Sequence, residues 1–223
     1  MAKKKKAVQE PMFARLCLVT PAEFEAAHFA PVLDATLRSG DVASLILDLA
    51  HLDPDAALSA AERLVPIAQA NGVAAIIAGD WSLVQASGAD GVHVAAGQAE
   101  LRRAVDTFHP DRIVGGGGLK TRHDAMLAGE TDCDYLFFGR LDGDTADEIF
   151  DKALDMAAWW SVVFEIPAMV MGGRALGSVI EAVDARVEFV VLRDAVWLHP
   201  EGPSAAVAEA NRLIAARQME AAP

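Results

Sequence analysis

The sequence predicts an α/β protein folded as a single (β/α)8 TIM barrel, and three observations carry that prediction. Eight short apolar runs recur along the chain, at residues 16–20, 43–47, 73–77, 91–94, 112–116, 135–139, 168–173 and 189–193. Helix-like stretches separate them, and alternating strand and helix builds a parallel sheet that closes with eight units. The runs are also continuous rather than alternating, as in Val73-Ala-Ala-Ile-Ile-Ala78, the pattern of strands covered on both faces. In such a barrel the chemistry sits where the strands end, so the residues there are the candidates.

A chain of 223 residues is short for this fold but sufficient, and leaves little room for a second domain. The expected organisation is a basic disordered tail over residues 1–10 and a barrel domain over 11–223. With 53% hydrophobic residues the chain can fill an interior and clothe it with helices. No apolar run approaches the roughly 20 residues that cross a bilayer. The four lysines at 3–6 lead into Ala-Val-Gln-Glu-Pro rather than a signal-peptide core. Net charge is −13, and because the first ten residues contribute +3, the remainder carries −16. A body that acidic repels phosphate backbones, and no basic patch with interleaved aromatics appears, which argues against nucleic acid as a partner. Cys17 and Cys133 lie in or just before predicted strands and read as buried reduced thiols of a cytoplasmic protein. Assembly into a homo-oligomer is left open.

Element by element, Thr20 is read as the N-cap, and Pro21 as a first-turn residue, of a helix entering at Glu23 and running to Arg38. The second strand ends on Asp48. Asp53-Pro54-Asp55 opens a helix whose Ala57, Ala61, Leu64, Val65 and Ala68 share one face, with Pro66 inside it and Asn71-Gly72 closing it. The third strand ends at Gly79-Asp80, before a short helix over 81–87. Glycines 115–118 follow the fifth strand, a loop over 139–144 follows the sixth, and Gly172-Gly173 end the seventh. A last helix spans about 203–217.

The stretch from Asn71-Gly-Val-Ala-Ala-Ile-Ile-Ala-Gly-Asp80 to Gly-Ala-Asp-Gly-Val-His93 resembles the third and fourth βα units of the thiamine phosphate synthase family. That family reads H-G-V-P-L-I-V-N-D-R, then G-A-D-G-V-H-L-G-Q. Leu16-Cys-Leu-Val-Thr20, Asp132-Cys-Asp-Tyr-Leu-Phe-Phe-Gly139 and Ala168-Met-Val-Met-Gly-Gly173 are similar to its L-Y-L-I-T, A-D-Y-V-G-x-G and V-x-A-I-G-G segments, in the right order. The resemblance implies a reaction of thiamine biosynthesis. A hydroxymethylpyrimidine diphosphate and a thiazole phosphate, both phosphorylated heterocycles, are joined as pyrophosphate leaves with the help of Mg²⁺.

The resemblance also distributes roles. Asp80 matches a Mg²⁺ ligand, with an N-cap as its alternative; Gln98 stands where the family has a second metal carboxylate, which weakens the site. Gly172 and Gly173 match a phosphate site, and Arg193 aligns with its small strand-8 residue. Arg193 is read as pairing with phosphate or bridging to Asp194 or Glu188. Asp48 falls where the family has an arginine, a reversal of charge. His93, Gly117, Lys120, Gly139, Arg140 and Thr145 complete the expected substrate pocket. Gly117 and Lys120 belong to a glycine run that offers backbone amides to an anion, and Thr145 is what survives of a T-x-T-K diphosphate grip. Two alternatives stand beside this reading. One is a thiazole tautomerase-like isomerase, for which His123 is a poor positional match. The other is a non-catalytic barrel that binds a phosphorylated ligand.

Overall fold

The eight runs become eight parallel strands. In the computed structural model, which describes residues 14–221, they are β1 (Arg15–Val19), β2 (Ser44–Asp48), β3 (Ala74–Ala78), β4 (Gly91–Val94), β5 (Ile113–Gly116), β6 (Tyr135–Phe138), β7 (Ala168–Met171) and β8 (Phe189–Leu192). Between them lie α1 (Ala26–Leu37), α2 (Pro54–Ala70), α3 (Ser82–Ser87), α4 (Gln98–Phe108), α5 (Arg122–Gly129), α6 (Asp151–Val163) and α7 (Ser178–Asp184). After β8 come α8 (Asp194–Trp197) and α9 (Pro203–Ala221). Each strand pairs in parallel with the next, and β8 returns to β1 from Arg15↔Phe189 to Leu18↔Leu192, closing the barrel. The fold is thus the single (β/α)8 barrel expected. Residues 1–10, expected as a tail, lie outside the described residues.

Strand alternation sorts the side chains into two shells. Cys17, Val19, Ile46, Ile76, Tyr135, Phe137, Met169, Met171 and Val191 fill the interior. Their neighbours Leu16, Leu18, Leu45, Leu47, Ile77, Leu136, Phe138, Val170 and Leu192 pack outward under the helices. Carried to the strand ends, the inward phase puts Asp48, Gly117, Gly139, Gly173 and Arg193 on the inner rim. Gly172 has the other phase: a Cβ there would stand 3.3 Å from Ser178 Oγ of α7.

Among the described residues, side-chain caps mark the starts of α1, α2 and α5. Asp53 caps α2 by accepting from Ala56 N at 3.0 Å, and Pro66 is accommodated within the helix. Thr20, read as the cap of the first helix, is instead buried, and its Oγ1 accepts from Asp48 N at 3.0 Å, tying β1 to β2. The cap of α1 is Glu25, whose two carboxylate oxygens accept from Ala27 N and His28 N. A cap must immediately precede the first helical turn, and Thr20 is spent on the sheet.

One interior glycine decides how the strands pack. Gly115 lies between His93 and Tyr135 in register. A Cβ on it would fall 1.8 Å from Tyr135 Cζ, so the phenol ring occupies the space that a side chain on β5 would take. Gly115→Ala is therefore expected to destabilise the fold by about 1–3 kcal/mol through overpacking. Urea denaturation checks this, and an unchanged midpoint would show that the ring moves aside freely.

Candidate active site

At the C-terminal mouth, the loops after β5 and β6 and the start of α6 enclose a cavity of about 500 Å³. Lys120, Gly139, Arg140 and Thr145, four of the residues expected from sequence, line it together with Lys152, and its apolar wall includes Phe138 and Met171. Lys152 was not foreseen. It stands in the first turn of α6, and that turn follows a strand end at the mouth, which is the signal that would have found it. Arg140 is held by Asp142 through two hydrogen bonds, at 2.8 and 2.6 Å, which leaves Lys120 and Lys152 as the cations not matched by this carboxylate. Gly139 has φ +109°, with Met171 Cβ 3.0 Å from where its own Cβ would be, so both conformation and space call for glycine.

The rim at β7 and β8 is engaged by the chain itself. Arg193, only 8% exposed, donates from Nη2 to Asp144 Oδ1 at 2.7 Å, and the backbone N–H of Asp194 donates to Asp144 Oδ2 at 2.9 Å. Arg193 Nε stands 3.4 Å from Asp194 Oδ1 and makes no hydrogen bond. Burial pushes the Asp144 carboxyl above its ordinary range, against the pull of the Asp194 amide and of Arg193. Gly173 N–H donates to Ser178 Oγ, Arg174 N–H to Ala146 O and Ala175 N–H to Asp147 O. A Cβ on Gly173 would lie 2.1 Å from Asp147 O, so glycine lets the 144–149 segment approach. Of the two bridges weighed for Arg193, the one to Asp194 forms; Glu188 instead accepts from Ser161 Oγ and Ala168 N.

The glycine run also has a packing explanation. Gly117 N–H donates to Val94 O, and a Cβ on Gly117 would meet His93 Nε2 at 2.8 Å. Lys120 N–H and Thr121 N–H both donate to the Asp124 carboxylate. His93 is buried in the barrel, with Nδ1 3.0 Å from Tyr135 Oη and its ring edge-on to Phe137. Burial lowers its pKa to about 4, so the imidazole is neutral at pH 7. His123, the tautomerase candidate, is exposed at the start of α5.

Mg²⁺ was expected on Asp80. Asp80 is exposed, and one of its carboxylate oxygens accepts from Ser82 N–H at 2.9 Å, while the N-cap position of α3 is held by Trp81 and not by Asp80. Gln98, in the place of the second carboxylate, turns toward α5 and donates to Leu127 O. Half-buried Asp48 is the other acid at these strand ends, and no three His, Cys, Asp or Glu side chains among the described residues group to hold an ion. Mg²⁺ takes six oxygens, one or two of them from protein carboxylates beside waters and substrate phosphates, and here Asp80 is tied to its own helix start while Gln98 replaces the second acid. The donor set does not fit a resident Mg²⁺, and no step is assigned to the ion.

A closed parallel barrel with Lys120, Arg140 and Lys152 beside a cavity at its C-terminal end is a (β/α)8 protein with a candidate site at the face where this fold carries its chemistry. The sequence model of the family described as thiamine monophosphate synthase matches residues 16–196, and the chain belongs to that family. The thiamine-phosphate synthase of Rhodospirillum centenum is 38% identical over 90% of this chain and 97% of its own length. That of Hyphomonas neptunium is 33% identical over 89% and 93%. Thiamine phosphate pyrophosphorylase from Pyrococcus furiosus shares the fold, with a TM-score of 0.75 at 16% identity over 93% of this chain and 98% of that one. The chain is a thiamine-phosphate-synthase-like barrel.

Proposed function

We propose that the chain condenses a hydroxymethylpyrimidine diphosphate with a thiazole phosphate and releases pyrophosphate. The observation that carries this reading is the mouth cavity, where Lys120, Arg140 and Lys152 stand beside an apolar wall. The cations hold the departing pyrophosphate, and the wall shields the cationic pyrimidine methylene from water until the thiazole nitrogen attacks it. The carbon–oxygen bond breaks with its electron pair on pyrophosphate, the carbon–nitrogen bond forms, and the positive charge passes to the thiazolium. The chain's contribution is positioning and charge stabilisation. The two free thiols, Cys17 and Cys133, are buried, which supports a reducing, cytoplasmic setting, and among the described residues no helix is long and apolar enough to cross a membrane.

The test is a coupled assay with purified protein and both substrates, with Mg²⁺ supplied and withheld; no product at high enzyme concentration removes this reading. Lys152→Ala is expected to raise KM for the pyrimidine diphosphate about tenfold, the loss of one exposed charge-assisted contact. An unchanged KM would move the diphosphate out of this cavity.

One observation favours the non-catalytic alternative. The Asp144 carboxylate occupies the guanidinium and amide that a phosphate at the end of β8 would use. Calorimetry with thiamine phosphate and thiazole phosphate separates the two, since binding without turnover supports the alternative.

A further inference from the structure

Phe150 is an aromatic side chain that the fold itself does not use. Of the phenylalanine, tyrosine and tryptophan side chains among the described residues it alone is exposed, at 65%. Its ring pairs with no other aromatic ring among them. The position does not call for it either. Phe150 is the N-cap of α6, where Ser, Thr, Asp or Asn would bond a free helix N–H and a phenyl group offers nothing. Neither capping nor packing accounts for the residue.

The ring lines the cavity at the loops after β5 and β6, together with Lys120, Arg140 and Lys152. Phe138, the other phenyl group in that wall, is buried and packs against Trp160. Phe150 is held along the chain on both sides. Ile149 before it is buried, and its N–H donates to Glu181 Oε2 at 3.2 Å. The carbonyl of Phe150 accepts from the N–H groups of Ala153 at 2.8 Å and Leu154 at 3.1 Å. An anchored backbone thus presents an exposed ring in a cavity lined by cations, a prepositioned surface for a flat ligand.

Ring and cations together narrow the chemistry of that ligand. An aliphatic chain would cover the phenyl group and leave the lysines unmatched. Inorganic pyrophosphate would meet the lysines and leave the ring in water. An aromatic ring one carbon away from a diphosphate engages both at once. We propose that Phe150 is a specificity-determining residue, whose ring stacks on the pyrimidine of the diphosphate substrate while the cavity cations hold the diphosphate. The proposal rests on the synthase reading above and adds to it a preference for aromatic over inorganic diphosphates, supplied by one side chain.

Calorimetry with hydroxymethylpyrimidine diphosphate and, separately, with inorganic pyrophosphate tests it. Phe150→Ala is expected to bind the pyrimidine diphosphate about tenfold more weakly than wild type and pyrophosphate equally well. Phe150→Leu, which keeps apolar bulk without an aromatic face, is expected to lose about threefold on the first ligand and nothing on the second. Lys152→Ala should weaken both. Because Phe150 is exposed, its variants are expected to melt close to wild type, which confirms that they fold. A leucine variant as tight as wild type overturns the stacking, and so does an alanine variant that loses equally on both ligands. In either case wild type still binds the substrate, and the synthase reading stands. If wild type binds neither ligand, the stacking and the synthase reading fall together.

Discussion

Asp144→Ala is expected to destabilise the protein by about 3 kcal/mol, because it takes from a buried guanidinium its hydrogen-bonded carboxylate and leaves it only Asp194 at 3.4 Å. Arg193 is 8% exposed, and its one side-chain hydrogen bond goes to Asp144. The same substitution deprives the Asp194 N–H of its acceptor. Most of the loss comes from a buried charge left without a hydrogen-bonded partner, not from the attraction itself, since burial already pushes the Asp144 carboxyl upward despite the arginine beside it. Replacing both partners, Asp144→Leu with Arg193→Met, is therefore expected to recover most of the stability. Urea denaturation of the single and double variants measures both effects. A single variant within about 1 kcal/mol of wild type would mean that Arg193 swings out to solvent and that the pair does not hold the rim.

The second large effect is one of pH. Burial lowers the pKa of His93 to about 4, against an ordinary value of 6.5. Above pH 6.5 neither the folded nor the unfolded chain protonates this ring, and its contribution to stability is fully present. As pH falls from 6.5 toward 4 the unfolded chain takes up a proton that the folded one refuses. Stability is expected to drop by about 3 kcal/mol across that window. His93→Gln has no such group, so the difference in unfolding free energy between wild type and variant should shrink as pH falls from about 7 to 4.5. A difference that stays flat would falsify the burial account of His93.

The barrel was legible because its signal is redundant. Each strand is a short apolar run buried on both faces, and all eight appear within two residues of the expected bounds. Helix entry was harder to read. Thr20 has the chemistry of a cap, but its neighbour across the sheet, Asp48 N–H, took the hydroxyl, and Glu25 did the capping through a side chain less usual at that position. The rim contacts were invisible for a different reason. Asp144 and Arg193 are 49 residues apart, and nothing in either local sequence shows that the loop after β6 folds over β8. The link between His93 and Tyr135 had a readable trace. Strand phase points both inward, and Gly115 sits between them in register, a glycine inside a strand that marks where another group needs the room.

The anchoring of residues 144–147 has a consequence for traffic through the molecule. The side chain of Asp144 and the carbonyls of Ala146 and Asp147 meet donors from Arg193, Asp194, Arg174 and Ala175, so one short loop rivets two neighbouring strand ends together. A loop held at several points opens only as a unit, and its amides should exchange with solvent far more slowly than exposed loops do. Molecules arriving or leaving would then pass over the strand ends across the closed barrel, those of β3 and β4, which take no part in these contacts. The doorway of this barrel is set by which side of its crown is bolted shut.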